Sequence, residues 1–438
     1  MSIDHTPLYN VNAVLKKTGL KADLLRAWER RYQLPTPQRS TGGHRLYSAY
    51  DIEILKWLRT RQVEGLSISR AVDLWQEIVQ SGCDPLVSYN RSEAGSVEIP
   101  SSQDTRLDHL SNRWLEACLA FDDRQAEDAL NQAFALYPVE TVCLEILQPG
   151  LGLLGQAWYK GQASVQQEHF ASALATRRLE TLISATPAPT RRQTVLVGCP
   201  PTEWHTLPIL MFSLFVRRRG LKVIYLGANI PALQIAETAA AIQPDLVVLA
   251  AQQLTSAASL QALAVSLQKL QLPLAYGGLI FNRIPSLRQR ISGHFLGESL
   301  EEGLQTVENL LADPVPAPTA LQVEDSTRRT ARLFQDYRPL IERELAREIQ
   351  RAGLEYNYIE EASLHFTNGL AAALDLGEIS LLEADLNWVD QLHLGQQIPG
   401  ERLIYFLNAY QRVLLKLTGE DSAAIVGWMD DYLSRYQP

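Results

Sequence analysis

The chain is 438 residues long and 46% hydrophobic, which allows about three domains at roughly 150 residues each. No apolar run reaches the ~18 residues of a membrane span, and the opening MSIDHTPLYN lacks the basic and apolar regions of a secretion signal. Membrane and secreted classes are therefore set aside, and a cytoplasmic location is expected. Charge is uneven: residues 1–80 carry 12 Lys and Arg against 8 Asp and Glu, net +4, while the remainder is net −13 and the whole −9. A basic head on an acidic body fits a nucleic-acid module joined to a sensor or oligomerisation region, and excludes a chain that coats DNA along its length. Cys83, Cys118, Cys143 and Cys199 lack CxxC spacing and read as reduced structural thiols.

The head, residues 1–80, begins with a strand-like start and a short helix over 8–20. A Thr-Gly turn leads to a second helix over 21–32, with Leu24, Leu25 and Trp28 on its buried face. Pro35 and Pro37 end that helix and Gly42-Gly43 make a hairpin tip. Ser48 caps a helix to about Arg61, and a further helix covers 68–80. A basic helix in a helix-turn-helix pattern, followed by a basic hairpin, can set one element in a DNA major groove while the hairpin reaches an adjacent groove. The long arms of Arg26, Arg30 and Arg31 can reach base edges or phosphates from the helix. Arg39, His44, Arg45 and Tyr47 belong to the wing, with phosphate contacts that position the head. Trp28 and Tyr32 read as packing.

Residues 81–106 are polar, rich in Gly, Pro and Ser, and read as a linker. Residues 107–188 have helical spacing in four runs (Leu107 to Trp114, Ala129 to Leu136, Leu144 to Leu154, Phe170 to Leu182), which suggests a four-helix bundle. Residues 189–313 alternate TVLVGC, KVIYLG, DLVVLAA and PLAYGG with helices over 207–219, 231–241, 256–270 and near 299–312. That alternation gives a doubly wound, Rossmann-like parallel α/β sheet, in which ligands bind at the carboxyl ends of strands. Pro314, Pro316 and Pro318 mark a third linker. Residues 325–438 form an all-α domain for oligomerisation or a second sensory role, with His365, His393 and Trp428 read as structural. The fold class is thus multi-domain: winged helix-turn-helix, four-helix bundle, α/β sheet and a helical C-terminal domain. No GxGxxG follows a strand and no Ser/His/Asp or HExxH arrangement occurs, so the reading is a regulator and not an enzyme.

The run WERRYQLPTPQR followed by GGHRLYSAYDI resembles the DNA-binding head of the MerR family, over about residues 7–78. The resemblance implies a homo-oligomer, dimer or tetramer, bound to inverted half-sites in double-stranded DNA.

Two further patterns bear on the input. Glu203-x-His205 lies just after the first strand of the α/β segment, where a neighbouring acid can fix the tautomer of a coordinating imidazole. With Gly277-Gly278 downstream, it resembles the ExHxxG…SxL…GG signature of cobalamin-binding domains. The resemblance implies His205 as the lower axial ligand of cobalt, Glu203 as its support, and Gly277 and Gly278 beside the cofactor. Pro208 stands at the signature's first Gly, where backbone approaches the nucleotide tail. Ala250 stands at its Ser, whose hydroxyl bonds that tail, and Gln252 at its Leu. In the preceding bundle, Trp158 is followed after nine residues by Glu168-His169. This resembles the Wx9EH pattern of the light-sensing, adenosylcobalamin-dependent branch of the MerR family, and implies that Trp158, Glu168 and His169 face the cofactor. Tyr159 occupies the place of that branch's second cobalt-ligating His.

The function expected is a transcriptional regulator whose oligomeric state and DNA affinity are controlled by a corrinoid, adenosylcobalamin, as light-sensing chromophore. The alternative is a regulator whose cobalamin fold serves as a protein-interaction module or binds another pigment.

Overall fold

The computed structural model describes residues 6–39, 43, 45–63, 68–80, 105–351, 356–384, 386 and 401–435. It divides into two units, Met1–Gln156 with Ala163–Pro187, and Ala157–Gln162 with Ala188–Pro438. Most of the expected linker at 81–106, along with His44 and His393, lies outside the described residues. Among those described, no helix is long and apolar enough to cross a membrane.

In the first unit, β1 (Tyr9–Asn10), α1 (Val11–Thr18) and α2 (Ala22–Tyr32) precede β2 (Gln38–Arg39), β3 (Arg45–Tyr47), α3 (Ala49–Val63) and α4 (Ile68–Gln80). Asn10 starts α1 by accepting the Ala13 N–H at 2.9 Å. Ser48 starts α3 reciprocally: its Oγ accepts the Asp51 N–H at 3.0 Å and the Asp51 carboxylate accepts the Ser48 N–H at 2.8 Å. Leu25 and Trp28, three residues apart, fill the core under α2. Leu24, expected beside them, is 40% exposed, because one residue along a helix turns the side chain about 100° away from that stripe. The strands form an antiparallel sheet in the order β1-β3-β2, with Arg39 opposite Arg45.

The helical part comprises α5 (Thr105–Leu119), α6 (Asp123–Leu136), α7 (Val139–Val142), a π-turn over Cys143–Leu147, α8 (Gln148–Tyr159) and α9 (Val165–Ala185). Pro149 has no N–H with which to continue the α-helical ladder, which accounts for the wider turn just before it. Gly150 lets α8 lie against Trp114, since a Cβ there would come within 2.5 Å of the indole.

In the second unit, five parallel strands run in the order β5-β4-β6-β7-β8: β4 (Thr194–Gly198), β5 (Lys222–Tyr225), β6 (Leu246–Ala250), β7 (Leu274–Gly277) and β8 (His294–Phe295). The central strands β4 and β6 are wholly buried, as their continuous Val/Leu runs require. Four strands were expected. The fifth, β8, is two residues long and shows no run of its own, and is fixed by pairing Ala275 with His294. The crossovers contain α10 (Leu207–Arg218), α11 (Ile235–Ile242), α12 (Leu254–Lys269) and α13 (Leu279–Arg283), and α14 (Leu300–Ala312) follows β8.

The C-terminal helices α15 (Asp325–Arg351), α16 (Tyr356–Asp375), α17 (Glu401–Thr418) and α18 (Ala423–Arg435) continue the same hydrophobic core. Leu260, Leu263 and Leu267 of α12 join one cluster with Phe366, Leu370, Phe406 and Tyr410. The Pro-rich stretch after α14, expected as a linker, is held against the sheet edge. Gly293 donates to the Pro318 carbonyl at 3.1 Å, Ala320 N–H to Ser292 Oγ at 3.1 Å, and Leu321 N–H to Gln289 at 2.9 Å. Arg290 pairs with Glu378 at 2.7 Å across the same seam. Trp428 stacks on Tyr432 with ring centroids 5.8 Å apart, in keeping with a structural role.

Candidate functional site: a histidine at the switch point of the sheet

After β4 the chain builds β5 on one side and β6 on the other, so the loops following β4 and β6 diverge. In open α/β sheets this crevice is where ligands bind. Glu203 sits in it, 0% exposed. Its Oε1 accepts the His205 Nδ1–H at 2.7 Å and the His205 N–H at 2.9 Å. Its Oε2 accepts the Gln252 N–H at 2.6 Å and the Ser256 hydroxyl at 2.6 Å. One carboxylate therefore ties the β4 loop to the β6 loop and to the first turn of α12. Burial alone would raise the Glu203 pKa, but the hydrogen bonds from His205, Ser256 and the Gln252 N–H outweigh it and hold the carboxyl below its ordinary value. The group is ionised at neutral pH.

An ionised Glu203 at Nδ1 keeps the proton on that nitrogen, which makes Nε2 the ring nitrogen that would bind a metal. The imidazole is 60% exposed. The β4 loop is also fixed on its other flank: Asn229, after β5, donates its N–H to the Glu203 carbonyl at 3.0 Å and accepts the Thr202 N–H on its side chain at 3.0 Å. Ser259 of α12 donates to the Pro201 carbonyl at 2.6 Å. His205 is thus presented from a loop braced by its neighbours on both sides.

Gly278 has φ 120°, and a Cβ there would lie 2.0 Å from the Ala251 carbonyl oxygen. Its lack of a side chain lets the β7 loop close on the β6 loop, whose Ala251 N–H bonds the Gly277 carbonyl at 3.0 Å. A Cβ at Gly277 would meet only ordinary contacts. Gln252 extends the bridge, its Oε1 accepting the Leu279 N–H at 3.0 Å. Pro208 lies in the first turn of α10, where no N–H is needed.

The donor set suits a metal carried in a macrocycle. Naked zinc takes three or four protein ligands, whereas a metal already held by ring nitrogens needs one from below. His205 would be that one, and among the described residues no group of three or more His, Cys, Asp or Glu is placed to hold an ion. Trp204 (68% exposed), Leu226 and Leu279 stand exposed at the carboxyl ends of β4, β5 and β7. A flat, largely apolar ring would cover exposed apolar side chains of this kind. The residues present fit a corrinoid.

The other expected site residues fall elsewhere. Glu168 and His169 meet in the first turn of α9: the carboxylate bonds His169 Nδ1 at 2.7 Å and accepts the Ser172 hydroxyl at 2.6 Å, with His169 largely exposed. Trp158, half-buried near the end of α8, belongs to the second unit, and Glu168 and His169 belong to the first. Tyr159 ends α8, and its side chain is outside those described.

In the head, Arg26, Arg30 and Arg31 are exposed on α2, and the Arg31 guanidinium lies over the Tyr32 ring at 5.4 Å. Arg39 is exposed on β2 directly opposite Arg45. Such a like-charged pair favours an anion beside it. Arg45 already leans on Glu29 at 3.1 Å. Tyr47 corrects an expectation. It was read as a wing contact to DNA, but it is completely buried and its hydroxyl donates to Glu29. On β3 it faces the core under alternation, so it anchors the wing from inside. His44 lies outside the described residues.

Sequence reading missed Ser256, which stands 53 residues from the carboxylate it serves. The one local sign is its place three residues after Gln253, with which it forms a capping box.

Three family models match in succession: "MerR HTH family regulatory protein" over residues 9–78, and "B12 binding domain" over 110–183 and again over 193–310. The HTH-type transcriptional repressor CarH of Myxococcus xanthus is 31% identical over 298 residues, covering 66% of this chain and 95% of the relative. The repressor CarA of the same organism is 29% identical, covering 55% of this chain and 75% of its own length. The solved monomethylamine corrinoid protein of Methanosarcina barkeri matches at 15% identity with a TM-score of 0.40, over 47% of this chain and 98% of that one. Residues 311–438 lie beyond all three family models. The chain belongs to the CarH family of MerR-type transcriptional regulators, which join a helix-turn-helix head to B12-binding domains.

Proposed function

We propose that this regulator is controlled by a corrinoid, adenosylcobalamin, which serves as a light-sensing chromophore and sets both oligomeric state and DNA affinity. The observation that carries the reading is the buried, ionised Glu203 holding an exposed His205 at the switch point of the sheet. When bound, the cofactor supplies a cobalt–carbon bond that light can cleave. His205 would hold the cobalt through Nε2, with Glu203 fixing its tautomer and raising its basicity. Trp204, Leu226 and Leu279 would exclude water from the lower face of the ring. Roles for Trp158, Glu168 and His169 toward the adenosyl side are part of the same proposal and rest on their spacing in the sequence.

The output is the head. Arg26, Arg30 and Arg31 on α2, with Arg39 and Arg45 on the wing, would contact double-stranded DNA carrying inverted half-sites. The chain would bind there as a homo-oligomer, dimer or tetramer. A ligand shifts such an equilibrium only by its preference between the two assemblies, and a hundredfold preference corresponds to about 2.7 kcal/mol.

The test is spectroscopic. Full-length protein mixed with adenosylcobalamin in the dark and passed through a desalting column should retain the corrinoid, and its absorption spectrum should change under green light. His205→Ala should weaken retention. A wild-type protein that emerges colourless would overturn the proposal and favour an interaction module.

A further inference from the structure

Cations gather at the end of the sheet away from His205. Arg191 and Arg192 precede β4, Arg217, Arg218 and Arg219 stand at the end of α10, and Lys222 opens β5. The backbone brings these stretches together. The Thr190 and Arg191 N–H groups both donate to the Gly220 carbonyl, at 3.0 and 2.9 Å, and Thr194 pairs with Lys222 in the parallel ladder. Gly220, at φ 80°, permits the approach, because a Cβ there would lie 2.2 Å from the Thr190 hydroxyl oxygen. Arg192, Arg218, Arg219 and Lys222 are exposed, and Arg191 and Arg217 are half-buried.

Little negative charge offsets them. Glu308 pairs with Arg191 at 2.6 Å, and Asp245, at the same end of the sheet, accepts the Thr194 N–H at 2.7 Å. The one acid within residues 191–222 is Glu203, which lies beyond the opposite end of β4. Among the described residues, Arg192, Arg219 and Lys222 have no ion-pair partner. The negative end of the α10 dipole suits a cation or two in its last turn. It does not account for Arg191, Arg192 and Lys222, which arrive from other elements in a body, residues 81–438, of net charge −13.

The chemistry of the face and the rest of the chain narrow the partner. All of these cations but Lys222 are Arg, whose planar fork binds two phosphate oxygens at once. Exposed side chains from separate elements suit a row of phosphates better than one small anion. A chain held on a duplex by its helix-turn-helix head meets phosphates at high local concentration. Its acidic body is repelled by them unless a positive face is turned their way.

We infer that this basic face touches the phosphate backbone of double-stranded DNA beside the sites that the heads read. It orients the acidic body on the duplex and adds affinity without sequence preference. The inference rests on the DNA-binding reading above and not on the corrinoid.

The experiment measures binding of the full-length protein, with adenosylcobalamin in the dark, to a labelled duplex over a range of salt. The duplex carries an operator selected from a random pool, with random-sequence flanks. Arg192→Gln, Arg219→Gln and Lys222→Gln are combined, since all three side chains are exposed and lie away from the corrinoid site. The combined variant should reduce the slope of log affinity against log salt by about two, and lose about tenfold in affinity at low salt. Its preference for the operator over a scrambled duplex should match the wild type. Arg192→Lys with Arg219→Lys keeps the charge and should keep the slope.

A combined variant with the wild-type slope would overturn the inference, as would a Lys variant that loses as much slope as the Gln variant. So would a combined variant whose oligomeric state without DNA, read by sedimentation velocity, differs from the wild type. That outcome assigns the face to a second copy of the chain. A wild type that binds no duplex would instead sink the DNA-binding reading itself.

Discussion

The fully buried carboxylate of Glu203 accepts the Nδ1–H of His205 at 2.7 Å, and that pair is braced by loops from three different strands. The arrangement makes the site sensitive to acid. Folding depresses the Glu203 pKa below its ordinary 4.5, so its contribution is complete above that value and is lost as pH falls through the lower, folded-state value. Urea unfolding followed at pH 7, 5 and 4 should show the second unit losing stability only toward the acid end. Glu203→Gln should cost about 1–3 kcal/mol at pH 7, because donors at His205 and Gln252 would then face an amide. It should also flatten the acid dependence. Equal stability of variant and wild type at pH 7 would remove Glu203 from the centre of the site.

Gly278 and Gly277 separate two reasons for a Gly-Gly pair. Gly278→Ala should destabilise the second unit by about 2–4 kcal/mol, since its Cβ would overlap the Ala251 carbonyl at a φ of 120°. Gly277→Ala should cost under about 1 kcal/mol, because its nearest neighbour is 3.5 Å away. Thermal unfolding of the two variants side by side checks the contrast, and equal losses would contradict it.

Arg31 and Tyr47 divide the head into contact and support. Arg31→Ala should weaken DNA binding and reduce the slope of log affinity against log salt by about one. Tyr47→Phe removes a buried hydroxyl that bonds Glu29, and should lower stability by about 1 kcal/mol while leaving the salt slope unchanged. Fluorescence anisotropy with a labelled duplex at several salt concentrations measures the slopes. A changed slope for Tyr47→Phe would return that residue to the interface.

Much of this was readable in the sequence because it is local or periodic. The helix-turn-helix, the alternating strands and the Glu203-x-His205 step all lie within short windows, and the structure has them where the pattern puts them. What escaped was long-range or two residues long. β8 exists only through its pairing with β7, Ser256 serves a carboxylate from another loop, and the Pro-rich stretch before α15 is held by backbone bonds that no residue type announces. Tyr47 misled for a related reason. Its neighbours are basic, but strand alternation turns it inward, toward a Glu29 on a different element. The continuity of α12 with the C-terminal helices likewise depends on apolar faces more than 100 residues apart meeting in space.

The central claim is that corrinoid state sets DNA affinity. Its most direct test is one binding titration done twice on the same sample. An operator is first selected from a random-sequence duplex pool, and the full-length protein is loaded with adenosylcobalamin in the dark. Affinity is measured in the dark and again after green light, at fixed salt. A change of about tenfold or more, absent without the cofactor, is the result the account predicts. Identical affinities in the dark and after illumination, with the corrinoid demonstrably bound, would contradict it.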